Sequence, residues 1–164
     1  MAAENVIIRK AKKEDMTQVC ELIRALAAFE NLEERCKMTP QILICDGFDT
    51  TPPVFSCIVV ELDGKIIGYA LYFTSYSTWI GKAAMLEDLF IDSNYRQKGL
   101  GKKLFKAVAR DVQNNSCNRI DLTCLSWNPA LEFYKKIGVK NLTLTEDWNY
   151  MRIEGDALDK LCEF

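Results

Sequence analysis

The segment Arg96-Gln97-Lys98-Gly99-Leu100-Gly101 concentrates more chemical potential than any other stretch of this chain. Two glycines spaced by one residue let backbone approach an anion closely, and a helix that starts there adds free N–H groups and the positive end of its dipole. Arg96 and Lys98 supply positive charge at the same place. The segment therefore suits a diphosphate. It lacks both the G-x-x-x-x-G-K-[ST] pattern of a P-loop and the G-x-G-x-x-G of a dinucleotide fold, which disfavours nucleoside triphosphates and NAD. A glycine pair is also compatible with a plain turn, so its weight comes from the elements on either side of it.

Those elements follow from periodicity. Met85 to Ile91 is an apolar run that predicts a strand, and Leu100, Leu104, Ala107, Val108 and Val112 mark one face of a long helix. Val6 to Arg9 reads as a first strand, and Met16, Val19, Ile23 and Leu26 place a helix over Glu14 to Glu30. Thr39-Pro40 starts a short second helix expected to run to Asp46 and stop at Gly47. Val54 to Glu61 and Lys65 to Phe73 flank Asp63-Gly64, a dipeptide suited to a two-residue hairpin turn. Arg119 to Cys124 reads as a strand, Pro129 to Ile137 as a helix stopped by Gly138, and Trp148 to Ile153 as a last strand. Asn31 to Arg35 and Thr74 to Lys82 are the least regular stretches and read as loops. The order predicts an α+β protein, a mixed central β-sheet with helices on its faces, as one domain over residues 1–164.

With 164 residues, 49% of them apolar and 27% charged, the chain can bury a core without staples. A net charge of -2 offers no basic footprint, so nucleic acid is not an expected partner. No apolar run reaches the ~18 residues of a membrane span, and the start of the chain does not read as a secretory signal, so no membrane partner and a cytoplasmic location are expected. The seven cysteines are scattered and no histidine exists to complete a zinc site or to activate a thiol, so no metal is expected and the cysteines read as reduced thiols.

The spacing R-x-x-G-x-G resembles the acetyl-CoA motif of the GNAT superfamily of N-acetyltransferases. Downstream, Trp127-Asn128-Pro129-Ala130-Leu131-Glu132-Phe133-Tyr134-Lys135-Lys136-Ile137-Gly138 is similar to that superfamily's second signature. Upstream, Trp79-Ile80-Gly81-Lys82 and Leu86-Glu87-Asp88-Leu89-Phe90-Ile91 resemble its diamine acetyltransferases, which act on spermidine, spermine and thialysine. The likeness runs from about Val6 to Ile153. The Asn128 to Tyr134 interval is one residue shorter than usual, which makes the role of Asn128 less defined than that of Tyr134. Where polyamine enzymes carry Asp-Pro before the tryptophan, this chain has Ser77-Thr78-Trp79, similar to the thialysine-type members.

The resemblance implies a GNAT fold, acetyl-CoA as co-substrate, a small primary amine as acceptor, and a homodimer in which Leu158, Leu161 and Phe164 are available at an interface. Gln97, Lys98, Gly99, Leu100, Gly101 and Lys102, with Arg96, would hold the pyrophosphate. The resemblance also implies that backbone amides of Leu89 and Ile91, exposed where the strand is interrupted at a bulge, hold the thioester carbonyl and pantetheine arm, with Phe90 beside them and Asn128, Pro129, Ala130 and Tyr134 flanking. A protonated amine cannot attack a thioester, and without histidine the proton carriers are carboxylates, tyrosine and water. The resemblance implies Glu87 as base, directly or through water, and Tyr134 is the matching acid for the thiolate. Each residue has a plainer reading: Glu87 as a solvated or ion-paired carboxylate, Phe133-Tyr134 as a packed helix face. Phe29, Glu30, Trp79, Glu87, Asp88 and Glu146 are the expected acceptor contacts, with Glu33 and Glu34 behind them. Thialysine or a lysine-like amino acid ranks first as acceptor, spermidine and spermine next, then a non-catalytic acyl-CoA-binding module or acetylation of protein amines.

Overall fold

The computed structural model describes residues 5–163, in two compact units, Met1–Thr123 and Cys124–Phe164. The first unit is built on a five-stranded sheet of order β1-β2-β3-β4-β5, with β1 Val6–Lys10, β2 Ser56–Leu62, β3 Lys65–Ser77, β4 Gly81–Ile91 and β5 Ile120–Leu122. Neighbours are antiparallel except β4 and β5, which run parallel. A parallel pair needs a crossover, and α3, Leu100–Asn114, makes it.

Helices cover both faces. The residues that α3 buries, Leu100, Leu104, Val108 and Val112, recur every fourth position, so one stripe meets Ile58, Val60, Ala70, Tyr72, Ala84, Leu86 and Ile91. On the opposite face α1, Met16–Phe29, buries Met16, Val19, Cys20 and Leu22, and Leu43 of α2, Pro40–Ile44, joins them against Cys57, Val59, Ile66, Tyr69 and Phe90. Strand β2 supplies both layers by simple alternation: Cys57 and Val59 one way, Ile58 and Val60 the other. Each fully buried Leu, Ile or Val contributes about 1.5–3 kcal/mol.

Local chemistry explains the turns. Asp63 and Gly64 both have positive φ, 49° and 83°, as the two-residue hairpin between β2 and β3 requires. Gly68 is required by close approach, because a Cβ there would sit 2.8 Å from the Phe90 carbonyl and collide with the Ile91 side chain. At the start of α1, Asp15 accepts from Lys12 N–H at 2.7 Å and pairs with Arg9, which also holds Glu61.

Several expectations from sequence need correction. Thr74 to Lys82 is no loop: β3 runs to Ser77 and β4 starts at Gly81, leaving only Thr78 to Ile80 as a turn. Phe73, Thr74 and Tyr76 are strand formers, and their pairing across the sheet outweighs the interspersed serines. Gly47 does not stop α2; it lies inside a π-helical turn over Cys45–Asp49. The strand after Arg119 shrinks to Ile120–Leu122.

In the second unit, α4 covers Ala130–Lys136 and Gly138 follows it with φ +95°, as predicted. Two further helices, α5 Leu142–Thr145 and α6 Asp156–Leu161, were not foreseen in this form. Trp148 to Ile153 belongs to no strand and is exposed throughout. Among the described residues no strand pairs with it to satisfy its backbone, whatever its β-forming composition, and a lone strand is not stable in water. Leu158 and Leu161 are exposed, and Phe164 lies outside the described residues.

Candidate active site

The site begins with a fault in the sheet. Leu71 pairs with Asp88 and Tyr72 with Leu86, so Glu87 is an extra residue in β4 with no partner on β3. This bulge reverses the alternation of side chains. Leu89 and Ile91 join the α3-side core, and past Glu87 it is Leu86 and Ala84 that do so. Glu87 is thereby left exposed beside the buried Leu86.

The same bulge marks where β4 loses a neighbour. β5 lies beside Ala84 to Leu86 only. Successive N–H groups of a strand point to opposite edges. Asp92 donates to Ile67 O on β3 at 2.9 Å, so Phe90 and Asp88 face β3, while Leu89 and Ile91 direct their N–H groups to the edge where, among the described residues, no strand pairs with them. Two parallel donors of this kind can hold the carbonyl and amides of an extended ligand.

Beyond β4 the chain turns through Ser93–Tyr95 and enters α3. Gln97 and Gly99 both take the left-handed conformation, φ 64° and 73°, and Gly99 is the N-cap of α3 with no side chain capping the helix. The first turn of α3 therefore presents its amides to whatever lies in front of them. Leu100 is buried in the same cluster as Ile91, which fixes the turn to the end of β4. Lys98, Lys102 and Lys103 are exposed around it. An uncapped glycine N-cap with lysines nearby fits a diphosphate, so these residues suit the acetyl-CoA that the motif implies.

Arg96 has a different setting from the one expected. Its Nε donates to the Ile91 carbonyl at 2.8 Å, and its guanidinium lies 5.4 Å and 5.1 Å from the ring centres of Phe29 and Phe90. Two cation–π contacts and a hydrogen bond tie the C-terminal end of α1 to the end of β4. Phe90 itself is buried beside Tyr69 in the α1-side core.

On that side the acidic groups gather. Asp88 is half-buried and its Oδ2 accepts from the Tyr69 hydroxyl at 2.7 Å. Burial pushes the Asp88 carboxyl up to about 6, the charges of Glu87 and Glu30 push the same way, and the Tyr69 hydrogen bond opposes them. Glu30, the residue after α1, is also raised by burial. Tyr69 is held well above the usual phenol range by burial and by Asp88. Asp88 ionises against the charges of Glu87 and Glu30, and a cationic ligand relieves that opposition. Tyr69 was missed from sequence, although a tyrosine inside an apolar strand calls for a hydroxyl partner.

Other expected residues of the first unit lie away from the bulge. Trp79 is 80% exposed in the β3–β4 turn, and the six steps along the strand from Gly81 to Glu87 place it ~20 Å or more from the bulge. Within this unit Trp79 does not reach the carboxylates. Glu33 and Glu34 form a short 3-10 turn beyond α1. In the second unit, Asn128 Oδ1 accepts from Ala130 N–H at 2.9 Å, just ahead of α4, whose N-cap is Pro129. Tyr134 is buried on α4 with its ring edge-on to Phe133 at 5.2 Å. Glu146 is exposed and accepts from Trp148 Nε1 at 2.9 Å.

Comparison with known proteins agrees with this geometry. The profile of the acetyltransferase (GNAT) family matches residues 19–139. Thialysine N-epsilon-acetyltransferase of Bos taurus is 38% identical over 95% of this chain and 96% of its own length, and that of Mus musculus 37% over 94% and 95%. Spermidine/spermine N(1)-acetyltransferase-like protein 1 of Homo sapiens is 30% identical over 92% of this chain, which spans 23% of that protein. Among solved structures, an integron cassette protein of V. cholerae superposes with a TM-score of 0.79 at 26% identity, covering 99% of this chain and all of that one. An aminoglycoside N-acetyltransferase in complex with CoA shares the fold, with a TM-score of 0.72 at 19% identity over 93% and 97% of the two chains. The bulged β4, the glycine-capped α3 and these relatives together place the chain in the GNAT family, as an acetyl-CoA-dependent N-acetyltransferase.

Proposed function

We propose that this enzyme acetylates the side-chain amine of thialysine or a similar lysine-like amino acid, working as one acetyltransferase domain over residues 1–164. One observation carries the reading: Glu30, Glu87 and Asp88 converge where β4 is bulged, next to the glycine turn that opens α3. An ammonium group is the ligand that such a cluster suits. The thialysine relatives and Ser77 in place of an aspartate favour a single short amine over a long polycation.

Acetyl-CoA, when bound, supplies the acetyl thioester. Leu100, Gly101 and Lys102 amides, with Gln97, Lys98 and Arg96 nearby, hold its diphosphate; Leu89 and Ile91 amides hold the acyl end. Asp88 and Glu30 bind the ammonium, and the exposed Glu87 carboxylate takes its proton, directly or through a water. Tyr134 protonates the departing thiolate, a role that rests on the sequence resemblance, as do the pantetheine contacts of Asn128, Pro129 and Ala130 and the acceptor contacts of Phe29, Trp79 and Glu146. A cytoplasmic homodimer without a bound metal is the form we assign; light scattering checks the dimer. Among the described residues, no helix is long and apolar enough to cross a membrane.

Thiol release from acetyl-CoA, followed with a panel of amines at equal concentration, tests the proposal. Thialysine should turn over faster than spermidine. Faster turnover of spermidine would instead favour the second reading, a diamine acetyltransferase, for which the acidic trio and the human relative speak. If no amine is turned over while acetyl-CoA binds, the chain is an acyl-CoA-binding module.

A further inference from the structure

Tyr69 lies in the middle of β3, its residue fully buried between Phe90 and the α1-side core. A hydroxyl in that position must find an acceptor, and it finds Asp88 Oδ2. Among the described residues the Asp88 side chain makes no other hydrogen bond and no buried side-chain oxygen lacks a partner, so Asp88 Oδ1 is reached by solvent. One carboxylate oxygen is therefore locked and the other is presented.

Resting on the amine-acetylation reading above, we propose that Tyr69 is a positioning residue for acceptor recognition: its hydroxyl clamps Asp88 Oδ2 so that Oδ1 meets the ammonium of the incoming amine. The ring is held by burial, so the clamp is rigid and costs no ordering when the amine arrives. The hydroxyl also stabilises the ionised form of Asp88 against the groups that oppose it. These are burial, Glu87 on the same strand and Glu30 at the end of α1. The Cys57 thiol on β2 faces the same pair and is itself pushed up to about 12 by burial and by the nearby carboxylates Asp15 and Asp88. Cys36, beyond α1, acts on Tyr69 in the same sense.

The Tyr69→Phe variant removes one oxygen atom and keeps the ring. In steady-state assays with thialysine, its amine KM should rise about tenfold, the usual worth of a hydrogen bond to a charged group, with kcat within about twofold of wild type. The KM for acetyl-CoA should not change. The acid limb of the kcat/KM profile for the amine should move to higher pH, because Asp88 loses a donor that lowers its pKa. In the background of Asp88→Asn the tyrosine substitution should have almost no further effect on amine KM. An unchanged amine KM and an unmoved acid limb in Tyr69→Phe, while Asp88→Asn does raise amine KM, would overturn the role of Tyr69 and leave the site reading standing. If Asp88→Asn itself leaves amine KM unchanged, the acceptor site is misplaced and both fall. Equal losses against acetyl-CoA and amine would mark Tyr69 as a core residue only.

Discussion

The two sides of β4 after the bulge do different chemistry with different parts of the chain. Towards the open edge of the sheet it offers main-chain donors, Leu89 and Ile91, continued by the uncapped start of α3. Towards α1 it offers side chains, Asp88 with Tyr69 and Glu30. A backbone cradle depends on φ, ψ and glycine and is indifferent to most substitutions. A side-chain cluster depends on identity and charge at single positions. The comparison teaches that co-substrate grip and acceptor choice are separable in this enzyme, since variants on one side should leave the other intact.

Glu87→Gln is the sharpest test at the junction of the two. Loss of a general base should lower kcat about 100-fold while calorimetry finds acetyl-CoA binding within twofold of wild type. Gly99→Val attacks the cradle alone. A β-branched residue at φ +73° should weaken acetyl-CoA about 10- to 30-fold and leave amine KM as it was.

Asp88→Asn probes the opposite side through stability. The Asp88 carboxyl titrates at about 6 in the folded protein against its ordinary 3.8, so its charge opposes folding, and the stability it allows at low pH is lost as pH rises through 6. The variant should therefore be more stable than wild type at pH 7, on the order of 1 kcal/mol after allowing for partial solvent access, and the gain should vanish below about pH 4. Thermal unfolding across that range reads it. Lys102→Ala should weaken acetyl-CoA only about two- to threefold, an effect that high salt removes, since exposed charges contribute little beside the amides.

How much of this was legible beforehand follows from the range of each interaction. The glycine turn, the α3 stripe and the Asp63-Gly64 hairpin were readable because each depends on residues within a few positions of one another. A bulge in this strand came only with the family resemblance, and its place at Glu87 was not legible, because it exists only in the register between β3 and β4 and Leu86-Glu87-Asp88 carries no local mark of it. Tyr69 and Asp88 are nineteen positions apart and meet only across the hairpin. Arg96 was read as charge for a phosphate, yet its Nε is committed to Ile91 and its plane to Phe29 and Phe90, partners set by how α1 packs. Trp148 to Ile153 failed for the converse reason: local composition favoured a strand, and among the described residues no strand pairs with it.

Amide hydrogen exchange, resolved residue by residue with and without acetyl-CoA, reaches the main-chain donors themselves. Slowed exchange at Leu89, Ile91, Leu100, Gly101 and Lys102, with Phe90 and Asp88 unaffected, is the predicted pattern. Protection confined to other segments, with these five amides unchanged at saturating acetyl-CoA, would contradict the account.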